Sequence, residues 1–265
     1  MAMTTRQRAK LSRGIQYAVL ILVLIALVVL ADWQILYERV FNPAVIADQF
    51  PGIITIALKN TLIYTALGFV VGLSLGVILA LMKLSSVAPY RWIATLYIEF
   101  FRGVPALLVF LALGYGIPLA FGFRFNHYVT VMIALGVVAA AYIAESLRAG
   151  LQAVPAGQYE AARSLGMSHT RAMVIIVIPQ ALRIVLPPLT NEVILLTKDS
   201  SLVYLLGMGL AQYELTKFGR EGISGAGAGL TPLVAAGICY LIITVPLGLL
   251  SRRFETKTDR VKKSS

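Results

Sequence analysis

The sequence is poor in cysteine, histidine and charged residues, and each shortage excludes a class of site. Cys239 is the one cysteine among 265 residues, so neither a disulfide within the chain nor a cysteine metal site is available. The two histidines, His127 and His169, flank apolar runs without a ligand cluster, and we interpret both as surface residues outside any metal site. No glycine is followed by lysine, which excludes the phosphate-binding pattern G-x-x-x-x-G-K-[ST] and therefore ATP binding of that kind.

The shortage of charge identifies an integral membrane protein. Charged residues make up 13% of the chain and hydrophobic residues 58%, whereas soluble domains contain about 25% charged residues. The formal net charge of +11 could suggest nucleic acid, but the basic residues lie mostly at the termini and at the ends of apolar runs. We therefore expect no nucleic-acid partner, and an all-α polytopic membrane protein with about six transmembrane helices in the lipid bilayer.

The apolar runs define the expected spans. Residues 14–31 form the first, which follows a basic tail, is too long for a secretory signal and lacks a convincing cleavage site. We expect residues 1–51 to hold that tail, the first helix and an outer linker with a short surface helix. The other spans are predicted at about residues 53–82, 92–121, 128–147, from 170 onward, and 231–250, with a short outer loop at 122–127 and a glycine-rich outer loop at 207–230.

Small residues recur in the second span at helical spacing. Gly68, Gly72 and Gly76 follow one another every four residues, and Ala80 continues the row. Such a groove lets helix backbones approach closely in a membrane, where packing rather than the hydrophobic effect drives association. This favours a packed bundle over a lone anchor.

Two later spans contain prolines and ionisable groups. In the third, Glu99 and Arg102 precede Pro105, and they form either an i, i+3 ion pair near the interface or part of a bending joint. The fifth is predicted to be interrupted at Pro179 and at the pair formed by residues 187 and 188.

Ionisable groups within a span are costly, at about 2.5–3.5 kcal/mol each on insertion scales, and so they are functional candidates. Arg183 and Glu192 lie nine residues apart, within about 14 Å along a helix axis. They could hold the two ends of a zwitterion, or they could pair with each other or with neighbouring helices. Glu145 lies at the end of the fourth span, shortly before the most polar internal segment.

That polar segment, at about residues 150–170, is predicted to contain a small helix at the membrane surface. Pro155 suits its first turn, and Gly166 suits the position after its last turn, where a positive φ is common. Helical spacing places Tyr159 and Ala162 on the same face as Gly166. An ordinary loop between two transmembrane helices is the alternative on pattern alone.

The segment resembles the EAA loop of ABC-importer permeases, in which Glu-Ala-Ala is followed after three residues by Gly and after nine more by Ile-x-Leu-Pro. Glu160, Gly166, Ile176 and Pro179 match, and Ile178 stands in place of the family's Leu. The flanking stretches YIAESLRAG, VPAGQYEAARSLG and PQALRIVLPPLTNEVILLTKDSSL are similar to the polar amino-acid branch of that family, and FRGVP resembles its FRG-x-P stretch. The resemblance extends over about residues 54–255.

The resemblance implies a type I ABC-importer permease: a membrane subunit, not an enzyme, that moves polar amino acids (glutamate, glutamine or basic amino acids) by alternating access. It implies a permease domain at residues 52–255 and a basic tail at 256–265. No cofactor is expected in this chain, because two partner ATPase subunits bind ATP and Mg; a second permease subunit, the same or paralogous, and an extracytoplasmic amino-acid-binding protein complete the expected assembly.

The expected site residues form two sets. The coupling set, which the resemblance assigns to the ATPase contact, is Glu160, Ala161, Ala162, Arg163, Ser164 and Gly166. The substrate-pathway set is Arg102, Glu145, Arg183, Asn191, Glu192 and Lys198.

The distribution of basic residues predicts the orientation. Segments expected inside hold fifteen lysines and arginines and those expected outside hold four, so we expect both termini and the EAA segment in the cytoplasm. A secondary transporter is the alternative class, but only one strongly interrupted helix is found, without a second copy of its pattern. A structural membrane anchor would not need charged residues at depth. Which amino acid is carried stays open.

Overall fold

The computed structural model describes residues 5–225 and 227–264, which form helices and, within those ranges, no strand. The expected all-α class is therefore confirmed. The helices are α1 (Thr5–Leu30), α2 (Trp33–Arg39), α3 (Pro43–Asp48), α4 (Lys59–Leu84), α5 (Ala88–Gly103), α6 (Ala106–Leu111), α7 (Ile117–Phe121), α8 (His127–Gln152), α9 (Ala156–Ser164), α10 (His169–Ala172), α11 (Ile178–Asp199), α12 (Leu215–Gly222) and α13 (Thr231–Ser264).

Short segments with other helical hydrogen bonding join several of these helices. Ile53–Leu58 leads into α4, Ala112–Gly116 joins α6 to α7, and Met173–Val177 joins α10 to α11, all three with wider π-helical turns. Ser200–Leu205 extends α11 as a tighter 3-10 helix. Within residues 5–225 and 227–264, five continuous helical stretches are long and apolar enough to cross a membrane, or six if a bent pair counts as one span.

The glycine row of α4 packs against α8, as predicted for a close helix contact. A Cβ at Gly68 would lie 2.6 Å from the Cβ of Leu135, and one at Gly72 would lie 2.9 Å from the Cβ of Ala139. The two pairs have the same sequence offset (135 − 68 = 67 and 139 − 72 = 67), so the two helices run parallel. The absence of side chains at these positions therefore sets the helix separation.

The parallel direction of α4 and α8 fixes how the chain between them crosses the membrane. Since α8 begins on the same side as α4, the intervening chain must return to that side. α5 and the stretch from α6 to α7 together make this return, although they meet at 101°. With this bent pair as one span, the expected six spans are reached.

The bend lies at the predicted joint, but it is sharper than the sequence indicated. One continuous span over residues 92–121 was expected, whereas α5 ends at Gly103 and α6 begins at Ala106. Val104 has an extended backbone, with φ −94° and ψ 131°. A residue before proline is pushed away from helical angles by the proline ring, so Pro105 accounts for the break.

The predicted interruption at Pro187 and Pro188 is wrong. Both prolines lie inside α11, which continues to Asp199. A proline removes one helix hydrogen bond, but in a membrane neighbouring helices and hydroxyl side chains can satisfy the backbone groups it leaves. The Ser251 hydroxyl on α13 donates to the carbonyl of Pro187 itself at 3.3 Å, which joins α11 to α13 beside the two prolines. The irregular part of this span lies earlier, at Met173–Val177.

The start of α4 is fastened to the chain that follows α11. The Asn60 amide donates to the carbonyls of Ala211 and Tyr213, at 2.9 and 3.0 Å. The Tyr64 hydroxyl donates to the carbonyl of Gln212 at 2.8 Å. We call this the capped end of the bundle; α9 lies at the opposite end.

His127 also lies at the capped end, and its interpretation as a surface residue is wrong. The side chain is half-buried, and its Nε2 lies 3.0 Å from the Tyr64 hydroxyl oxygen. The sequence could not reveal this contact because the two residues are 63 positions apart.

The predicted glycine-rich loop at 207–230 is only partly a loop, because it contains α12. Glu214 caps this helix: its carboxylate accepts hydrogen bonds from the backbone N–H groups of Thr216 and Lys217, both at 2.6 Å. The Tyr240 hydroxyl on α13 donates to the same carboxylate at 3.0 Å. Glu214 is fully buried, and this burial raises its pKa to about 7.

The first span stands apart from the bundle. Its stretch Ser12–Leu30 is apolar and none of it is buried inside the chain. The linker after it forms two short helices, α2 and α3, where one surface helix was expected. A helix that is apolar all round and unburied by protein is suited to lipid contact.

Candidate functional site

The polar segment forms the predicted surface helix, α9. Pro155 immediately precedes it, with φ −58°, and Leu165 follows its last residue. Gly166 has φ +84°, and its N–H donates to the carbonyl of Arg163, while the N–H of Met167 donates to the carbonyl of Ala162. These two bonds form a Schellman motif, which explains why glycine suits position 166.

Tyr159 and Ala162, two of the residues predicted to share one face of α9, pack on the rest of the chain. Gly166, predicted on the same face, is exposed instead, because α9 ends before it, at Ser164. Ala162 is 5% exposed and Tyr159 is half-buried. Tyr159 packs against a cluster that contains Val177 and Ala181, from the start of the fifth span, and its hydroxyl lies 2.8 Å from Nδ1 of His169. The face formed by Tyr159 and Ala162 therefore anchors α9 and is not available to a partner.

The opposite face of α9 is exposed. Leu165 is 85% exposed, a large fraction for an apolar residue. Apart from Gly166 itself and its two chain neighbours, no atom of the described residues lies within 4 Å of the position that a Cβ at Gly166 would take. The exposed members of the coupling set are Glu160, Ala161, Arg163, Ser164 and Gly166.

Two members of that set also support α9 internally. Arg163 donates to the carbonyl of Met167, and the Ser164 hydroxyl donates to the carbonyl of Glu160 at 3.0 Å. These bonds hold the end of the helix and leave the Glu160 carboxylate exposed. The arrangement offers a rigid, protruding helix end with one acidic side chain, which is suited to insertion into a cleft of another protein.

A second site lies inside the bundle, as a cavity of about 420 Å³ between α8, α11 and the break between α5 and α6. Arg102 and Glu192, both in the substrate-pathway set, line it together with Asp199 and Tyr142. The Arg102 guanidinium lies over the Tyr142 ring, 5.8 Å from its centroid. The cavity therefore brings one cationic and two acidic side chains to otherwise apolar walls.

The local geometry of each element places these groups. Arg102 lies in the last turn of α5, next to the extended Val104 that ends the helix. Glu192 and Asp199 are seven residues apart on α11, which puts them on one face of a helix. Because Glu192 is buried, its side chain must find its polar partners within the cavity or the solvent there.

The remaining members of the pathway set lie elsewhere. Arg183, Asn191 and Lys198 are exposed and are not among the residues that line the cavity. Glu145 forms an ion pair with Arg148, with 2.7 Å between Oε2 and Nη2. A role for these residues in the pathway stays a prediction. The ion pair considered between Glu99 and Arg102 is not among the ion pairs of the described residues.

Asp199 and Tyr142 were missed as cavity residues. The signal for Asp199 was present, since it repeats the helical spacing of Glu192, Leu195 and Leu196 along α11. Tyr142 offered no such signal, because a single tyrosine in an apolar span is as suited to lipid or core contact. No group of acidic, histidine or cysteine residues in the described ranges could hold a metal ion.

The fold and these two sites define a class: a polytopic helical membrane protein with an internal polar cavity and a protruding helix at one end of the bundle. Residues 72–260 match the family of binding-protein-dependent transport system inner membrane components. The chain belongs to that family and is a multi-pass inner-membrane transport subunit. The first span lies outside the matched region.

Individual relatives agree with this assignment. Over 209 residues the chain is 34% identical to the arginine transport system permease protein ArtQ of Bacillus subtilis, covering 79% of this chain and 93% of that protein. It is 33% identical to the probable glutamine ABC transporter permease protein GlnM of Bacillus subtilis, covering 76% and 91%. The glutamate/aspartate import permease protein GltK of Escherichia coli is also 33% identical, with coverage of 75% and 90%.

A solved structure confirms the fold. The crystal structure of an amino acid ABC transporter with histidines matches with a TM-score of 0.71 and 35% identity, covering 80% of this chain and 96% of that one. The resemblance to type I ABC-importer permeases of the amino-acid branch is thereby confirmed.

Proposed function

We propose that this chain is the permease subunit of an ATP-driven importer that carries polar amino acids across the cytoplasmic membrane by alternating access. Its relatives are named for arginine, for glutamine, and for glutamate and aspartate. The observation that carries the proposal is the cavity, in which Arg102 and two carboxylates line an otherwise apolar space. Such an arrangement suits a small molecule with charges of both signs.

The charges of the cavity suggest how an amino acid binds. Arg102 is suited to the α-carboxylate, because a guanidinium binds a carboxylate through two parallel hydrogen bonds. Glu192 and Asp199 are suited to the α-ammonium and to a polar or basic side chain. With all three groups ionised the cavity carries one excess negative charge, which favours neutral and basic amino acids over acidic ones.

We propose that α9 couples this cavity to ATP hydrolysis by docking on a separate ATPase. The chain contains no P-loop, so ATP and Mg are bound by the partner. An ATPase dimer has two equivalent sites and this chain offers one α9, so the working unit contains two permease subunits, the same or paralogous, and two ATPases. An extracytoplasmic amino-acid-binding protein delivers the substrate to the capped end.

The orientation follows from the basic residues. The segments at the α9 end and both termini carry most of the lysines and arginines, which by the positive-inside rule supports a cytoplasmic position for them and an outer position for the capped end. In this orientation the exposed face of α9 meets the cytoplasmic ATPase.

The experiment is uptake by vesicles reconstituted with the permease and its ATPase, with the amino-acid-binding protein present, with and without ATP, using labelled L-arginine, L-glutamine and L-glutamate. We expect uptake of at least one of these to require both the ATPase and ATP. Uptake by the permease alone under an ion gradient would instead establish a secondary transporter, and no uptake of any of the three would refute the amino-acid assignment.

A Glu192→Gln variant tests the cavity in the same assay. We expect about a tenfold loss of uptake for the basic substrate and a smaller loss for glutamate, since a charge-assisted hydrogen bond contributes about 1.5–3 kcal/mol. Glu221→Gln is the control, because Glu221 is an exposed residue of α12 outside the cavity. A structural role for Glu192 predicts a lower melting temperature and equal losses for all three substrates.

A further inference from the structure

A smaller second cavity, of about 200 Å³, lies at the capped end. It is bounded by the join of α6 and α7, by the first turn of α8 and by the segment after α11. Arg124, His127 and Gln212 are among its lining residues, and no acidic residue of the described part of the chain lines it. The cavity is therefore positively charged at neutral pH.

This outer cavity and the cavity of about 420 Å³ described above, the inner cavity, lie along the same face of α8. Along α8, His127 and Thr130 line the outer cavity, and Ala134, Val138 and Tyr142 line the inner one. Steps of three and four residues place all of them on one face of the helix. The two cavities therefore follow one another along a single groove.

An apolar plug separates the two cavities. Phe110, which lines the inner cavity, is fully buried, and it clusters with Leu206, which lines the outer one. A Cβ at Gly114, one turn after Phe110, would clash with the Leu206 side chain. A molecule that comes from the capped end therefore meets the outer cavity before it reaches this plug.

The basic groups of the outer cavity differ in how they are held. Within the described ranges Arg124 makes no hydrogen bond or ion pair, whereas Lys217, at the same end, is paired with Glu221. Since the Tyr64 hydroxyl uses its proton to reach the Gln212 carbonyl, His127 Nε2 must be the donor in its contact with Tyr64. His127 is thus fixed in orientation, while the Arg124 guanidinium is left free to bind an anion.

We propose that the outer cavity is an entry site that holds the α-carboxylate of the transported amino acid, with Arg124 as its binding group. The proposal rests on the proposed function, since it takes the substrate to be an amino acid. A guanidinium that has no acidic neighbour in a cavity binds a carboxylate without first losing an internal partner. The site would receive the substrate on the outer side of the plug, before the inner cavity opens to it.

The test is equilibrium binding of labelled L-arginine, L-glutamine and L-glutamate to the purified permease–ATPase complex in a maltoside detergent, without binding protein. Such a detergent contains no phosphate, so neither a lipid headgroup nor the binding protein can account for an effect of Arg124. We expect Arg124→Gln to raise the dissociation constant of the transported amino acid about tenfold, and Arg124→Lys to restore part of the affinity.

Arg220→Gln is the matched control. Arg220 also lies at the capped end, but its guanidinium lies over the Tyr204 ring, 5.3 Å from the centroid, and it does not line the cavity. We expect this variant to bind like the wild type. Arg124 and Arg220 are both exposed, so either change should leave the fold intact.

Three results would overturn the proposal. Equal dissociation constants for the wild type and Arg124→Gln would refute the entry site. Uptake by the wild type would in that case still support the proposed function. An Arg124→Gln defect that appears only in phospholipid vesicles with binding protein present would assign Arg124 to lipid phosphate or to docking. A wild type that neither binds nor transports any of the three amino acids would refute the proposed function, and the entry site with it.

Discussion

The glycine row of α4 allows a prediction whose magnitude follows from the structure. In Gly72→Ala the new Cβ would lie 2.9 Å from the Cβ of Ala139 and 3.3 Å from the carbonyl oxygen of Gly136. Carbon atoms in contact normally lie about 3.5–4.0 Å apart. Neither neighbour can rotate away, because one is a Cβ and the other a backbone atom, so α4 and α8 must separate by about 0.6 Å or more.

The expected cost is that of overpacking, about 1–3 kcal/mol. The exchange of glycine for alanine inside a helix offsets about 1 kcal/mol of it, because alanine has the higher helix propensity. Gly237→Ala isolates this second effect: Gly237 lies on α13, and apart from its chain neighbours and the backbone of its own helix nothing lies within 4 Å of its Cβ position. We expect Gly237→Ala to be neutral or slightly stabilising and Gly72→Ala to be less stable than it by about 1–3 kcal/mol.

The measurement is the apparent melting temperature of both variants in the same detergent. By the scaling for chains of 150–250 residues, the difference corresponds to about 2–12 °C. Gly76→Ala should repeat the effect, since its Cβ would lie 2.8 Å from Cγ2 of Ile143. If Gly72→Ala melted at or above Gly237→Ala, the close contact between α4 and α8 would be refuted.

Two further predictions concern the ends of the bundle. Gly166→Asp should leave insertion intact and abolish transport-linked ATP hydrolysis. Gly122→Asp is the control and should leave this hydrolysis unchanged, since Gly122 has a similarly positive φ of 71° and equally open surroundings but lies at the other end of the bundle. Full stimulated hydrolysis in Gly166→Asp would contradict coupling through α9. Burial raises the pKa of Glu214 from 4.5 to about 7. The protonated carboxyl is therefore favoured in the folded protein, and its contribution to the free energy of unfolding is fully present below pH 4.5 and is lost as the pH rises through 7. The free energy of unfolding should fall by about 3 kcal/mol over this range. Melting temperature against pH should show this decline in the wild type and in Glu221→Gln but not in Glu214→Gln, and an unchanged slope in Glu214→Gln would assign the decline to another group.

Local patterns in the sequence predicted the elements that depend on nearby residues. The turn at Gly166 could be predicted because a helix end needs a residue that accepts positive φ, and its Schellman bonds join residues within five positions. The break before Pro105 could be predicted for a similar reason, since proline restricts the residue before it. The angle of 101° could not, because it depends on how α5 and α6 pack on α8.

Features that depend on distant residues were missed or misjudged. The continuity of α11 through Pro187 and Pro188 was misjudged, because the sequence does not show that Pro187 is buried within the bundle. Arg102 and Glu192 line the same cavity, and no periodicity in the sequence relates residues on α5 to residues on α11. Glu214, fully buried at the start of α12, was not singled out at all, because its partners lie partly on α13.

The parallel contact of α4 and α8 divides the bundle into parts with different freedom to move. Along this contact the side chains of one helix lie in the space left by the glycines of the other, so the pair must move as one rigid body. The inner cavity has one wall on that body, through α8, while its other walls belong to α11 and to the two-residue link at Val104 and Pro105. A change in the shape of the cavity therefore has to come from rotation about that link or from a shift of α11.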